Sequence, residues 1–221
     1  MWVAWAQWCR LAFEAMWARG HGKEFDEADV ERARADAFHA GPGRLDELAR
    51  RLGLDADERD LLVIVAVLSS NPVLAARCRQ LTGERAGIDL ALVAGVGKMT
   101  ADTASSLAIR LGPSHPLIAN AILVSEGVAA TAGALALRAP RRTVAYLAGD
   151  DPLDDDLVSC GGRLVPAGDV TFTEDQEPAR RRLKTALDDH GAVVVLIEGS
   201  AGSGKRSVLA SVAKSLGREV V

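Results

Sequence analysis

Eight consecutive apolar residues, Leu61-Leu62-Val63-Ile64-Val65-Ala66-Val67-Leu68, constrain this chain more than any other feature. The run has no polar side, so the element it forms must be buried all round. By pattern alone it reads equally as a central strand. The residues in front of it decide the matter. Asp55 followed three positions later by Glu58 has the form of a capping box, which opens helices. The run is therefore predicted as a buried helix.

Its neighbours also read as helices. Glu24 to Ala40 is charged and alanine-rich, and Gly41-Pro42-Gly43 breaks it. Leu45 to Leu52 is a short helix with Gly53 placed as its C-terminal stop. Asn71-Pro72 starts another, with proline at the first helical position. Ile88 to Val96 reads as a helix closed by Gly95 and Gly97. Thr100 caps the next, which ends at Gly112-Pro113. The period then changes. Leu117 to Val124 and Ala134 to Leu137 read as two short strands. The stretch Leu117 to Leu137 is about long enough to cross a bilayer. Asn120, Ser125, Glu126, Gly127, Thr131 and Gly133 interrupt it, and a hairpin explains it better. Arg141 to Leu147 returns to helix and stops at Gly149.

Helices followed by a hairpin suggest a winged-helix domain, a class in which one helix often reads DNA. The candidate reading helix, Thr100 to Leu111, carries a single basic residue, Arg110. The whole chain has a net charge of −4. Nucleic acid is held first by basic charge, so a contact with protein is the better expectation for this domain.

The first helix is Trp-rich. Trp2, Trp5, Cys9, Phe13 and Met16 recur at helical spacing. The expectation is a helix docked on the domain, with a membrane-surface helix as second reading. Arg10 and Glu14 interrupt the run and no basic start precedes it, so it is not a signal peptide. Cys9, Cys78 and Cys160 are scattered, as are His21, His39, His115 and His190. Neither set has metal-ligand spacing, and scattered thiols fit a reducing, cytoplasmic location.

Asp150, Asp151, Asp154, Asp155 and Asp156 form an acidic knot. Its spacing is not that of a calcium loop, so it reads as a solvated linker. The expected organisation is an N-terminal helical segment (1–43), a winged-helix-like domain (44–149), a linker (150–177) and a third segment (178–221). A helix from Pro178 to Asp189 opens the last.

That last segment carries chemistry. Ala192 to Glu198 reads AVVVLIE, which fits a strand buried on both faces. Gly199-Ser200-Ala201-Gly202-Ser203-Gly204-Lys205 follows at once, and then Val208, Leu209, Val212, Ala213 and Leu216 at helical spacing. Strand, glycine loop and helix occur in the order of a phosphate-binding loop. Glycines let backbone N–H groups approach phosphate oxygens, and the lysine reaches the outer phosphates. The candidate contacts are Gly199, Ser200, Ala201, Gly202, Ser203, Gly204, Lys205, Arg206 and Ser207, with ATP as ligand. One position departs from the pattern. The residue after the lysine should carry a hydroxyl for Mg²⁺, and here it is Arg206. Ser207 is about 100° further round the helix, so the Mg²⁺ site is in doubt. Gly95-Val96-Gly97-Lys98 lacks the four-residue loop and follows no strand, so it is set aside.

Three stretches in order, LDELARRLGLDADERDLLVIVAV, LALRAPRRTVAYLAGDDPLDDDL and GSAGSGKRS, resemble bacterial AAA+ ATPases with an N-terminal winged-helix domain. Some members of that group accompany extracellular contractile injection systems. The resemblance runs from about Trp5 to the end, and the glycine loop is its sharp motif. It implies ATP binding, hydrolysis coupled to remodelling of protein partners, contact with protein substrates or an adaptor through the winged-helix domain, and self-association into a ring. The fold expected is a mostly α winged-helix (α+β) domain followed by the first βα unit of an α/β P-loop NTPase. Only Gly199, Gly202, Gly204 and Lys205 carry over as nucleotide contacts. The family's acidic Mg²⁺-holding residues, sensors and arginine finger have no counterpart. The chain reads as ending just after the loop, and the expectation is binding without turnover. The second reading is a winged-helix interaction or DNA-binding module with an inert ATPase remnant.

Overall fold

The computed structural model describes residues 1–39, 43–83, 87–126, 135–150, 159, 173–174, 176–188, 197–198, 200 and 202–217. The chain divides into two compact units, Met1–Pro152 and Leu153–Val221. It is mostly helical, with a small three-stranded antiparallel sheet.

The apolar run is a helix, and it is the centre of the first unit. α4 (Ala56–Ser70) buries every side chain from Leu61 to Leu68, none more than 1% exposed. Its capping box is formed: the Asp55 carboxylate accepts from Glu58 N–H at 2.9 Å, and Glu58 accepts from Asp55 N–H at 3.0 Å. α1 (Trp2–Gly20) packs on α4, on α2 (Glu27–His39) and on α6 (Leu90–Gly97). Its apolar face is docked, with Trp5, Trp8, Cys9 and Phe13 buried in the core shared with α4. Arg34 of α2 pairs with Asp60 of α4 at 2.6 Å while its guanidinium lies 5.9 Å from the Trp8 ring centre. Burial raises the Asp60 carboxyl above its usual range, against the pull of Arg34.

α3 (Arg44–Leu52) ends at Gly53 in the left-handed region, as expected. Asn71 accepts from Val73 N–H and Leu74 N–H to open α5 (Pro72–Thr82). α7 (Ala101–Arg110) is capped by Thr100. α9 (Arg141–Ala148) stops at Gly149. Arg44 reaches back to the end of α9, donating to the carbonyls of Asp150 at 2.8 Å and Tyr146 at 3.3 Å.

The sheet corrects two readings. Ile88 and Asp89 are not helical; they form β1, and α6 begins only at Leu90. A two-residue strand leaves no alternation to read, and pairing with a distant strand decides it. Likewise Leu117–Ala119 belongs to a short helix, α8 (Pro116–Ala119), and not to a strand. Pro116 sits at its first position, and the His115 ring accepts from Leu117 N–H. The strand proper is β2 (Val124–Glu126). β3 (Ala136–Arg138) lies between the other two, in the order β1-β3-β2. Ile88 faces Leu137 on one side, and Ser125 faces Leu137 on the other.

In the second unit, α10 (Gln176–Asp188) and α11 (Lys205–Ser215) pack together through Leu183, Val208 and Val212. Most of the strand read at Ala192–Glu198, residues 192–196, lies outside the described residues, as does most of the acidic linker. No single helix among the described residues is long and apolar enough to cross a membrane. α4 and α5 together are apolar enough but bend by 102°, and the α4 run is spent on the core.

Candidate functional site

The glycine loop runs into the N-terminus of α11. Gly202 has φ +78° and Gly204 has φ +76°, on either side of Ser203. Two left-handed positions one residue apart are costly for any residue with a Cβ. Ser203 N–H bonds back to the Ser200 carbonyl at 3.3 Å, which tightens the turn. Gly204 is the helix N-cap and supplies no side-chain cap. The first-turn N–H groups of α11 therefore keep their partial positive charge for an outside acceptor.

Lys205, the first residue of α11, folds over this turn. Its Nζ donates to the Ser200 carbonyl at 2.7 Å and lies 3.3 Å from the Ser203 hydroxyl. The ammonium is thus held at the loop by groups that an anion can replace. Ser200, Gly202, Ser203, Gly204 and Lys205 are brought together; Gly199 and Ala201 lie outside the described residues. Arg206 and Ser207 are exposed, and their side chains make no hydrogen bond or ion pair among the described residues.

A residue that sequence reasoning missed completes the loop's support. Gln176, at the start of α10, donates from Nε2 to the Ser203 carbonyl at 3.1 Å. Its Oε1 accepts from Thr173 N–H at 3.1 Å. A Cβ on Gly204 would stand 3.3 Å from Gln176 Nε2, so the amide lies directly against the loop. Gln176 precedes the lysine by 29 positions, and no local pattern marks it. Glu177 beside it is held down to about 2, chiefly by the hydrogen bond from Arg180, with Arg181 adding to it against the opposing effect of desolvation.

The arrangement fits a phosphate: backbone donors at a helix N-terminus, a glycine turn and an ammonium. It does not fit Mg²⁺ at the usual position. That position holds an exposed guanidinium, and among the described residues no three His, Cys, Asp or Glu side chains gather to hold a metal.

The other candidates resolve differently. In the sequence set aside, Gly95 and Gly97 lie within α6, where a Cβ on Gly95 would stand 2.8 Å from Met16 Sδ. Lys98 closes that helix and pairs with Glu27 at 2.6 Å and Glu31 at 2.9 Å. The candidate DNA-reading helix α7 spends its one guanidinium internally: Arg110 contacts Asp55 at 2.7 Å and Glu58 at 2.8 Å. His115 contacts the same buried Glu58 at 3.1 Å. No family model, curated protein or solved structure matches the chain.

Proposed function

We propose that the second unit binds ATP through the loop at the head of α11, in the manner of an AAA+ ATPase, and that the first unit contacts protein partners. One observation carries the reading: Gly202 and Gly204, both left-handed, set the turn that Lys205 Nζ closes onto the Ser200 carbonyl. Loop N–H groups and the α11 terminus would face the phosphates, and Lys205 would exchange its loop partners for the outer phosphate oxygens. Exposed Arg206 adds a second cation where the pattern has a metal-binding hydroxyl. Coupling of hydrolysis to remodelling, and assembly into a ring, follow from the resemblance and remain proposals.

The winged-helix reading of the first unit is supported by the placement of α6 and α7 between β1 and β2, and by the β1-β3-β2 order. The internal use of Arg110 favours a protein partner over DNA. This unit alone, with an inert loop, is the competing account.

Calorimetric titration of ATP into the chain tests the proposal. Saturable binding abolished by Lys205→Ala is the expected result. Phosphate release by the same preparation should stay at background. No heat from a folded chain would leave the interaction module as the account to keep.

A further inference from the structure

The carbonyl of Ser203 and the N–H of Gly204 are the two ends of one peptide group. The N–H end stands at the cap position of α11, where the loop meets the helix. The carbonyl end accepts from Gln176 Nε2 at 3.1 Å. The Gln176 side chain is itself an amide, and its other end, Oε1, accepts from Thr173 N–H at 3.1 Å. Two amide groups are thus joined end to end, and their donors and acceptors run in one direction, from the glycine loop to Thr173.

The far end of this series is the turn that opens α10. The Thr173 carbonyl accepts from Gln176 N–H at 3.0 Å and from Glu177 N–H at 3.3 Å. Backbone and side chain of Gln176 therefore both hold this turn, while the same side chain holds the loop. Thr173 also falls within the segment read from the sequence as linker. Hydrogen bonds in series polarise one another. A phosphate oxygen on Gly204 N–H makes the Ser203 carbonyl a better acceptor. The stronger bond polarises the Gln176 amide, and Oε1 then draws harder on Thr173 N–H.

We propose that Gln176 is a positioning residue that carries occupancy of the glycine loop to the start of α10. This rests on the reading that the loop binds the phosphates of ATP. The coupling is reciprocal, so a tighter turn at Thr173 strengthens nucleotide binding to the same degree. A carboxylate at this position still accepts from Thr173 N–H but has no hydrogen to give Ser203. Gln176→Glu therefore separates holding the turn from coupling it to the loop.

The test is amide NMR of the full chain titrated with ATP. Gly202 and Gly204 amides are expected to shift saturably. The Thr173 amide proton should move downfield with the same midpoint, and its exchange with solvent should slow about twofold, the scale of a cooperative gain on one bond. In Gln176→Glu, brought to saturation of the Gly202 shift, Thr173 should not respond. Gln176→Ala, saturated in the same way, should also leave Thr173 silent, and it adds no charge beside the phosphates. Loop shifts without a response at Thr173, or a Thr173 response that persists in the saturated variants, would overturn the coupling and leave the ATP reading standing. No shift at Gly202 and Gly204 would overturn the ATP reading, and the coupling with it.

Discussion

Lys205 spends its ammonium on its own loop, and Gln176 ties that loop to α10. The two residues should therefore differ in consequence. Lys205→Ala removes the charge that meets phosphate. Gln176→Ala removes one neutral hydrogen bond behind the loop, so nucleotide affinity should fall only about two- to tenfold. Titration of the two variants side by side checks this, and equal losses would contradict it. Glu177 supplies a pH prediction. Its carboxyl is lowered from 4.5 to about 2 by Arg180 and Arg181. The ion cluster is therefore whole above the unfolded value and is lost as pH falls from there through about 2. A carboxyl titration by NMR should place the Glu177 midpoint near 2, and an ordinary value would refute the cluster. Thiols behave oppositely. Burial pushes Cys78 up to about 11 and Cys9 higher still. Thiolate is the reactive form, so at pH 8 both should resist alkylation in the folded chain and label readily in urea. Mass spectrometry of the labelled peptides reads this directly. The sequence displayed Lys205 because the residues around it form a pattern. Gln176 stayed hidden because its role arises from packing between two helices.

α4 is the element on which the first unit depends. Ile64 is fully buried within it, while Ile109 on α7 is 82% exposed. Ile64→Ala should cost about 2–5 kcal/mol of stability, and Ile109→Ala less than about 0.5 kcal/mol. Urea unfolding followed by Trp fluorescence separates them, since Trp5 and Trp8 lie in the same core. A small loss at Ile64 would mean that α4 is not the centre of the fold. This helix was legible beforehand because its cap and its apolar run lie next to each other in the chain. The same held for Gly53, Asn71-Pro72 and Thr100, which are local signals for local events. β1 was not legible. It is two residues long, and Leu137, nearly 50 positions away, is what makes Ile88 extended. Leu117 was misread for a related reason: an apolar run seemed to continue through it, while the His115-Pro116 start made a helical turn.

At the scale of the whole molecule, several cations among the described residues are paired internally rather than displayed. Arg110 is held by Asp55 and Glu58, and Lys98 by Glu27 and Glu31. The face that a winged helix would turn to DNA thus offers little cation, which supports protein as the partner. A cleft in the first unit gathers Arg79, Arg138 and Arg141 from three elements. Those positions are too far apart in the chain to form a motif, so only the folded unit brings them together. The glycine loop was the reverse case. Its residues adjoin one another in the chain, and Gly202 and Gly204 take the left-handed angles that glycine allows. What the loop lacks was equally legible, because Arg206 occupies the place of a hydroxyl.

The central claim is that this loop holds the phosphates of a nucleotide without depending on Mg²⁺. The most direct measurement is equilibrium binding of a fluorescent ATP analogue, with and without Mg²⁺, to the chain and to its Lys205→Ala and Arg206→Ser variants. The account predicts saturable binding by the chain that changes little with Mg²⁺, disappears in Lys205→Ala, and gains Mg²⁺ dependence in Arg206→Ser. Binding that survives Lys205→Ala unchanged, or no binding by a chain shown to be folded, would contradict it.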